Sequence, residues 1–399
     1  GAVAKITSGG TPSRSIPTYW GGDVPWVSTG EIDFNTILKT KENITAEGVQ
    51  HSSARVFPKG TVLMAMFGQG VTRGKVATLG VDAAFNQACV AIVPKDGLPT
   101  RYLYQYLAHR YPHIRALANT GSQANLNAAL IRGLDLVVPE PLEAEAIGTL
   151  GDTFDQTTLC IRRLIRARRK LKRGLLQLLL TGERRFPEFR GQPWVERRVG
   201  DVLQETSRLV EWNDDELYRL ASIRRGSRGL FDRGTLYGRD IKVKKLHTIR
   251  EGDFLISHIQ AAYGAMGTVP AEFDGAKVSD MYSILTPKEP GCIDMRFVNY
   301  LSQRKEMRHL AYLSSNGFFA ERLRLNFDPH DFLNRKILLP PTVEEQTRIA
   351  DTLETLDREL QLLTDLHEAL KEQKKGLMQQ LLTGKVRMPA SMLKEVAHA

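Results

Sequence analysis

From Ile349 onward, apolar residues return at alternating steps of four and three: Ile349, Leu353, Leu356, Leu360, Leu363, Leu370, Leu377 and Leu381. His367 and Lys374 are the two polar breaks in the stripe. Held over about five heptads, the pattern predicts a long helix whose seam packs against another helix. An earlier stretch carries the same register less regularly, with Ile147, Phe154, Ile161, Ile165, Leu175 and Leu179 on the stripe and Leu150, Leu164, Leu171 and Leu178 widening it. Both stretches end in one phrase. GLLQLLLTGERRFP (174–187) and GLMQQLLTGKVRMP (376–389) agree at nine of fourteen positions, 202 residues apart. Pro139, Pro141, Pro340 and Pro341 suit helix entry, Glu143, Glu145, Glu344 and Glu345 complement the helix dipole, and Gly182 and Gly384 stand where a C-terminal cap belongs. Roughly 38 residues rising about 1.5 Å each give a rod near 57 Å, longer than a module of about 140 residues is wide. Such rods must pack on each other.

The segments before the rods repeat as well. FPKGTVLMAMFGQGVTRGKVATLG (57–80) parallels IREGDFLISHIQAAYGAMGTVP (249–270), ACVAIVPK (88–95) parallels YSILTPKE (282–289), and RYLYQYLAHR (101–110) parallels RFVNYLSQR (296–304). Short apolar runs broken by glycine, with one or two helices, predict compact α+β modules. Each rod is preceded by a strand-like run closed by proline, LDLVVPEPLEAE (134–145) and KILLPPTVEEQ (336–346). The expected order is module 1–140, helix 141–182, module 183–339, helix 340–384 and a tail 385–399, an internal pseudo-two-fold repeat. The frames agree while the loop side chains differ, as expected of two readers built for different targets.

Composition adds the partner class. With 42% hydrophobic and 25% charged residues among 399, each half can bury its own core. Fifty-five Lys and Arg against forty-five Asp and Glu give a net charge of +10 and a pI near 9.4, which favours a polyanionic partner. Cys89, Cys160 and Cys292 lie far apart without CxxC spacing, so they read as buried thiols in a reducing cytosol rather than a zinc site or disulfide framework. No apolar run reaches membrane-spanning length and no signal peptide opens the chain, which places it in the cytoplasm. The first residue is Gly rather than Met, from which removal of upstream sequence is expected.

The GGTPS opening (9–13) followed by YW (19–20) and VPW (24–26), the PPTVEEQTRIADTLETLD segment (340–357) and both LLTG phrases resemble the specificity subunits of type I restriction-modification systems, over nearly the whole chain. The resemblance implies two target-recognition domains, each reading half of a split sequence in double-stranded DNA. It further implies that the two helices pair antiparallel to fix the gap, dock two methyltransferase subunits and meet a motor-nuclease subunit. The first copy departs from the pattern, with PEPLEAEAIG where the second has PPTVEEQTRIA. Helix pairing and docking then fall to Ile161, Ile165, Leu175, Leu179, Leu353, Leu356, Leu360, Leu363, Leu370 and Leu377.

Arg suits bidentate contact to guanine, Gln contact to adenine, and Lys contact to phosphate. On that chemistry the first module offers Ser13 and Arg14 after the GGTP turn, Gln69, Arg73 and Lys75 in FGQGVTRGK (67–75), and Gln123 and Asn125 in GSQANLN. The second offers Arg224, Arg225, Arg228 and Arg233 in SIRRGSRGLFDRG (222–234), and His258, Gln260 and Tyr263 in SHIQAAYG (257–264). The structural alternatives are a surface hairpin without a role and, for His258, a turn histidine with its hydrogen bonds satisfied. GxGxxxG within FGQGVTRGK is not read as a dinucleotide site, because VATLG continues as strand where a helix would have to begin. IRRLIRARRKLKR (161–173) holds eight basic residues and no acid; a solvated face, phosphate contact and docking to an acidic partner all remain open. No NPPY-like or DPPY-like tetrapeptide, GxxxxGK[ST] loop, HExxH or Gly-x-Ser-x-Gly elbow is present, so no catalysis is expected of this chain and S-adenosylmethionine would bind in the partner.

Overall fold

Two 39-residue helices, Pro141–Leu179 and Val343–Leu381, occupy the stretches with the four-three rhythm. A computed structural model describes residues 1–68, 71–95, 97–117, 125–316 and 326–397. The chain divides into two units, Gly1–Arg163 with Thr364–Ala399, and Leu164–Leu363, so each unit holds one α+β globule and part of both helices.

In the first unit a five-stranded sheet runs in the order Ala4–Ser8, Cys89–Pro94, Val62–Ala65, Val76–Leu79, Asn35–Ile37. In the second, a four-stranded sheet runs Leu203–Thr206, Tyr282–Pro287, Phe254–Ser257, Met266–Thr268. The four shared strands take the same order and are antiparallel in both. Their central strands are apolar without alternation because both faces are covered. Val62 and Met64 pack towards Leu103 and Leu107 of the helix Thr100–His109, while Leu63 and Ala65 face Ile37, Leu79 and Phe85. Phe254 and Ile256 likewise join Phe297, Ile349 and Leu353, while Leu255 faces Ile223 and Val278. A second sheet completes each globule: Glu42–Ile44, Trp20–Val27, Ala84–Phe85 in one, and Leu230–Tyr237, Leu217–Ile223, Lys277–Ser279, Leu246–Thr248 in the other.

One strand-like run behaves differently. Lys336–Leu339 is a strand paired with Val195–Arg198, whereas 134–139 is in no strand. Tyrosine hydroxyls take over its backbone: Tyr102 Oη donates to the Val137 carbonyl (2.6 Å) and Tyr106 Oη to that of Asp135 (3.0 Å). The cysteines also divide. Cys89 is buried, with its thiol pushed up to about 12 by desolvation, but Cys160 is exposed on the outer side of its helix.

Within each unit the helix segments run antiparallel. In the first, Lys374 Nζ pairs with Asp155 Oδ1 (2.6 Å), so one polar break in the seam has a charged partner across it. In the second, Arg168 Nε pairs with Glu359 Oε1 (2.8 Å) and Lys172 with Asp357. The seam positions Ile161, Ile165, Leu179, Leu353 and Leu356 are buried, and Leu175, Leu360, Leu363, Leu370 and Leu377 half-buried. Leu164 and Leu171 do not thicken that stripe; they remain 40% and 43% exposed.

The repeated phrase has a mechanical role. Its arginine, three residues past the capping glycine, fastens to a buried glutamate in the first turn of the other helix. In one unit Arg387 reaches Glu143 through Nε (2.8 Å) and Nη2 (2.5 Å), and the Met388 N–H donates to the same carboxylate (3.0 Å). In the other, Arg185 meets Glu345 through Nε (2.8 Å) and Nη2 (2.7 Å), with Trp194 Nε1 donating at 3.2 Å. Both glutamates and both arginines lie 202 positions apart, so the two clasps are equivalent. The divergent PEPLEAEAIG therefore still supplies its glutamate.

The Arg387 hydrogen bond holds the Glu143 carboxyl below the usual range, against the opposing pull of burial, with help from the Met388 amide. A depressed carboxylate contributes stability that is complete above the unfolded value near 4.3 and is lost as pH falls through the lower folded value. Glu143→Gln should thus be less stable than the parent at pH 7, with the difference shrinking below about pH 4. Urea midpoints from pH 7 to 3 test this; a constant difference would mean that the loss is steric.

Candidate nucleic-acid interface

The two predicted loops of the second unit meet. The segment 224–229 turns through Gly226 (φ 72°), Ser227 (φ 51°) and Gly229 (φ 77°). It is zipped to 257–264 by Gly226 N–H to the Tyr263 carbonyl (2.9 Å) and Ser227 N–H to that of Gly264 (2.7 Å). Ser227 Oγ also donates to the Ser302 carbonyl (2.9 Å). Gly264 itself has φ 72°, and a Cβ there would lie 2.6 Å from Arg308 Cδ, so only glycine fits this approach without displacement.

This zipper brings Arg225, Gln260 and Tyr263 together from segments 35 residues apart. Arg225 Nε donates to Gln260 Oε1 (3.3 Å), and its guanidinium carbon lies 4.9 Å from the centre of the Tyr263 ring. Tyr263 is 58% exposed. Arg225 is exposed, and bidentate recognition uses the terminal nitrogens of a guanidinium, which the Nε bond does not occupy. Arg228 is exposed, with Nε donating to the Arg225 carbonyl (3.0 Å). Arg224 turns back, donating to the Leu230 carbonyl (2.6 Å) over Phe231. Arg233 is exposed on the strand Leu230–Tyr237. Tyr237, beneath Arg239 (4.7 Å), is an exposed cation–aromatic pair that the loop motifs did not flag.

His258 is not displayed as a reader. It is half-buried, its Nε2 shares a hydrogen bond with Ser283 Oγ (2.8 Å), its ring tilts on Phe327, and burial pushes its pKa down.

In the first unit several candidates are engaged by the protein itself. Arg14 forms two bonds to Glu42 (2.5 and 2.8 Å) and lies 3.6 Å from the Trp20 ring centre. The glycines of GGTP explain why it is there. A Cβ at Gly9 would lie 2.1 Å from the Phe85 carbonyl and one at Gly10 would lie 2.3 Å from Ser53 backbone, so the loop can press in and let Trp26 Nε1 donate to the Gly10 carbonyl (3.0 Å). Lys75 pairs with Asp33 (2.5 Å) and its side chain is 16% exposed. Arg73 is buried, and the Gly74 N–H that follows donates to the Ala65 carbonyl (2.8 Å). Ser13 is exposed and shares a hydrogen bond with Ser15 (2.8 Å); Asn125 is half-buried. Gln69 and Gln123 lie outside the described residues.

The model of the type I restriction modification DNA specificity domain matches residues 1–167 and 192–372. The chain belongs to that family. The specificity subunit of the type I restriction enzyme MjaIX from Methanocaldococcus jannaschii is 26% identical over 228 residues, 51% of this chain and 50% of that protein. The EcoR124I/EcoR124II specificity subunit of Escherichia coli is 29% identical over 164 residues, 40% of each. This chain thus matches half or less of the length of these relatives. The fold of this specificity-family chain resembles that of the S subunit from M. genitalium, with a TM-score of 0.59, 14% identity and coverage of 96% of this chain and 94% of the other. Among its described residues no helix is long and apolar enough to cross a membrane, and no cluster of His, Cys, Asp and Glu is arranged to hold a metal.

Proposed function

We propose that this chain is the sequence-reading subunit of a type I restriction-modification complex, with each globule reading one half of a bipartite site in double-stranded DNA. The observation that carries the reading is the repeated four-strand order in two globules whose loops bear unlike side chains. One frame has been kept and its edge chemistry changed. The paired helices act as the spacer. A continuous helix of 39 residues is about 58 Å long and far stiffer than a linker, so it can hold two readers at a set separation. Half-sites read from one face of B-DNA fall near one helical turn, about 34–36 Å apart.

Two methyltransferase subunits dock on the helices and supply S-adenosylmethionine and methyl transfer; a motor-nuclease joins for restriction. Leu164 and Leu171, one heptad apart and exposed, offer an apolar stripe for such a partner. The chain itself reads and measures without catalysis, in the cytoplasm.

Selection of bound duplexes from a random pool tests this. The full chain should return a split consensus, and inserting one heptad into each long helix should lengthen the gap while both half-sites keep their sequence. Return of no split consensus would favour a scaffold, and unaided transfer of label from S-adenosylmethionine would favour an enzyme.

A further inference from the structure

The basic run at 161–173 separates into two faces. Arg168 and Lys172 point across the helix pair and are neutralised by Glu359 and Asp357. Arg166, Arg169, Lys170 and Arg173 do not. Spaced i, i+3, i+4 and i+7, they fall on one side of the helix, in a row about 10 Å long. All four are exposed, and among the described residues their side chains make no ion pair or hydrogen bond. On the second helix, Asp351 and Glu354 pair with Arg296 (2.7 and 3.0 Å), and Glu345 pairs with Arg185.

We propose that Arg166, Arg169, Lys170 and Arg173 form a phosphate-binding row that tracks the backbone of the unread DNA between the two half-sites. This rests on the bipartite reading above. Charge density favours DNA over an acidic protein surface. B-DNA places a phosphate about every 3.4 Å per strand, so a row of about 10 Å faces about three on one strand alone. The apolar stripe of Leu164 and Leu171 lies roughly 150° around the same helix, so protein docking has a separate face and does not need this row. Long flexible cations with no base-edge partner contribute affinity without sequence information.

The test uses the full chain with all four residues changed to Gln, beside a variant in which the three arginines become Lys. Each protein is titrated by fluorescence anisotropy from 50 to 200 mM salt against the selected duplex, and against the same duplex carrying neutral methylphosphonates through the gap. The Gln variant should flatten the plot of log affinity against log salt by about one unit per residue removed. The parent then loses about a hundred-fold more affinity across that range than the variant does. The Lys variant should keep the parent slope. Neutralising the gap should flatten the parent's slope and leave the Gln variant's unchanged, with half-site preference the same throughout. An unchanged slope in the Gln variant, or co-purification with a methyltransferase subunit lost in its place, overturns the row. Failure of the parent to select any split consensus overturns the bipartite reading as well, so the two failures are distinguishable.

Discussion

Glu345→Ala is expected to destabilise the unit Leu164–Leu363 by about 3 kcal/mol, seen as a fall of roughly 1–2 M in the urea midpoint. The Glu345 side chain is 1% exposed and that of Arg185 is 12% exposed, so removing the carboxylate leaves a nearly buried guanidinium without its counter-charge and Trp194 Nε1 without its acceptor. The equivalent clasp is expected to respond less to loss of its glutamate. Arg387 is 70% exposed, and water can take over from Glu143 once the pair is broken. The double substitution Arg185→Leu with Glu345→Leu should recover most of the loss, since replacing both partners of a buried pair leaves no stranded charge. A loss under about 1 kcal/mol for Glu345→Ala would place this clasp among ordinary surface ion pairs.

Arg225→Ala should relax the preference at one base of one half-site by about 1–3 kcal/mol, a factor of roughly 5 to 150, while the other half-site is unaffected. Gln260→Ala should produce the same change in weaker form, because the guanidinium then keeps its aromatic support but loses the hydrogen bond that sets its angle. Arg14→Ala should shift no base preference, since both its terminal nitrogens are committed to Glu42. Affinities for the selected duplex and for its single-base variants decide the matter. Equal weakening on every sequence would make Arg225 a phosphate contact.

The long helices were readable because their information is local. A seam repeats within seven residues, and every position of it can be counted along the chain. The same holds for the glycine-broken strands, whose partners recur in order in both halves. Pairing between distant residues carries no such signature. Nothing around Arg14 announces Glu42, nothing around Lys75 announces Asp33, and nothing around His258 announces Ser283, yet each of these side chains has that partner in the fold. Conversely, Arg225, Gln260 and Tyr263 belong to two separate motifs, and backbone hydrogen bonds between those loops make them neighbours. The duplicated LLTG phrase was plain as a repeat. Its purpose lay in a glutamate at the far end of the other helix, which inspection of the phrase alone could not reach.

That reciprocal fastening alters where these helices should breathe. An isolated helix frays from its tips, where terminal carbonyls and amides lack partners. Here each C-terminal tip is riveted by its arginine to the opening turn of its neighbour, and the neighbour's tip is riveted in return. These ends should therefore exchange their amides with solvent more slowly than the tips of an unfastened helix.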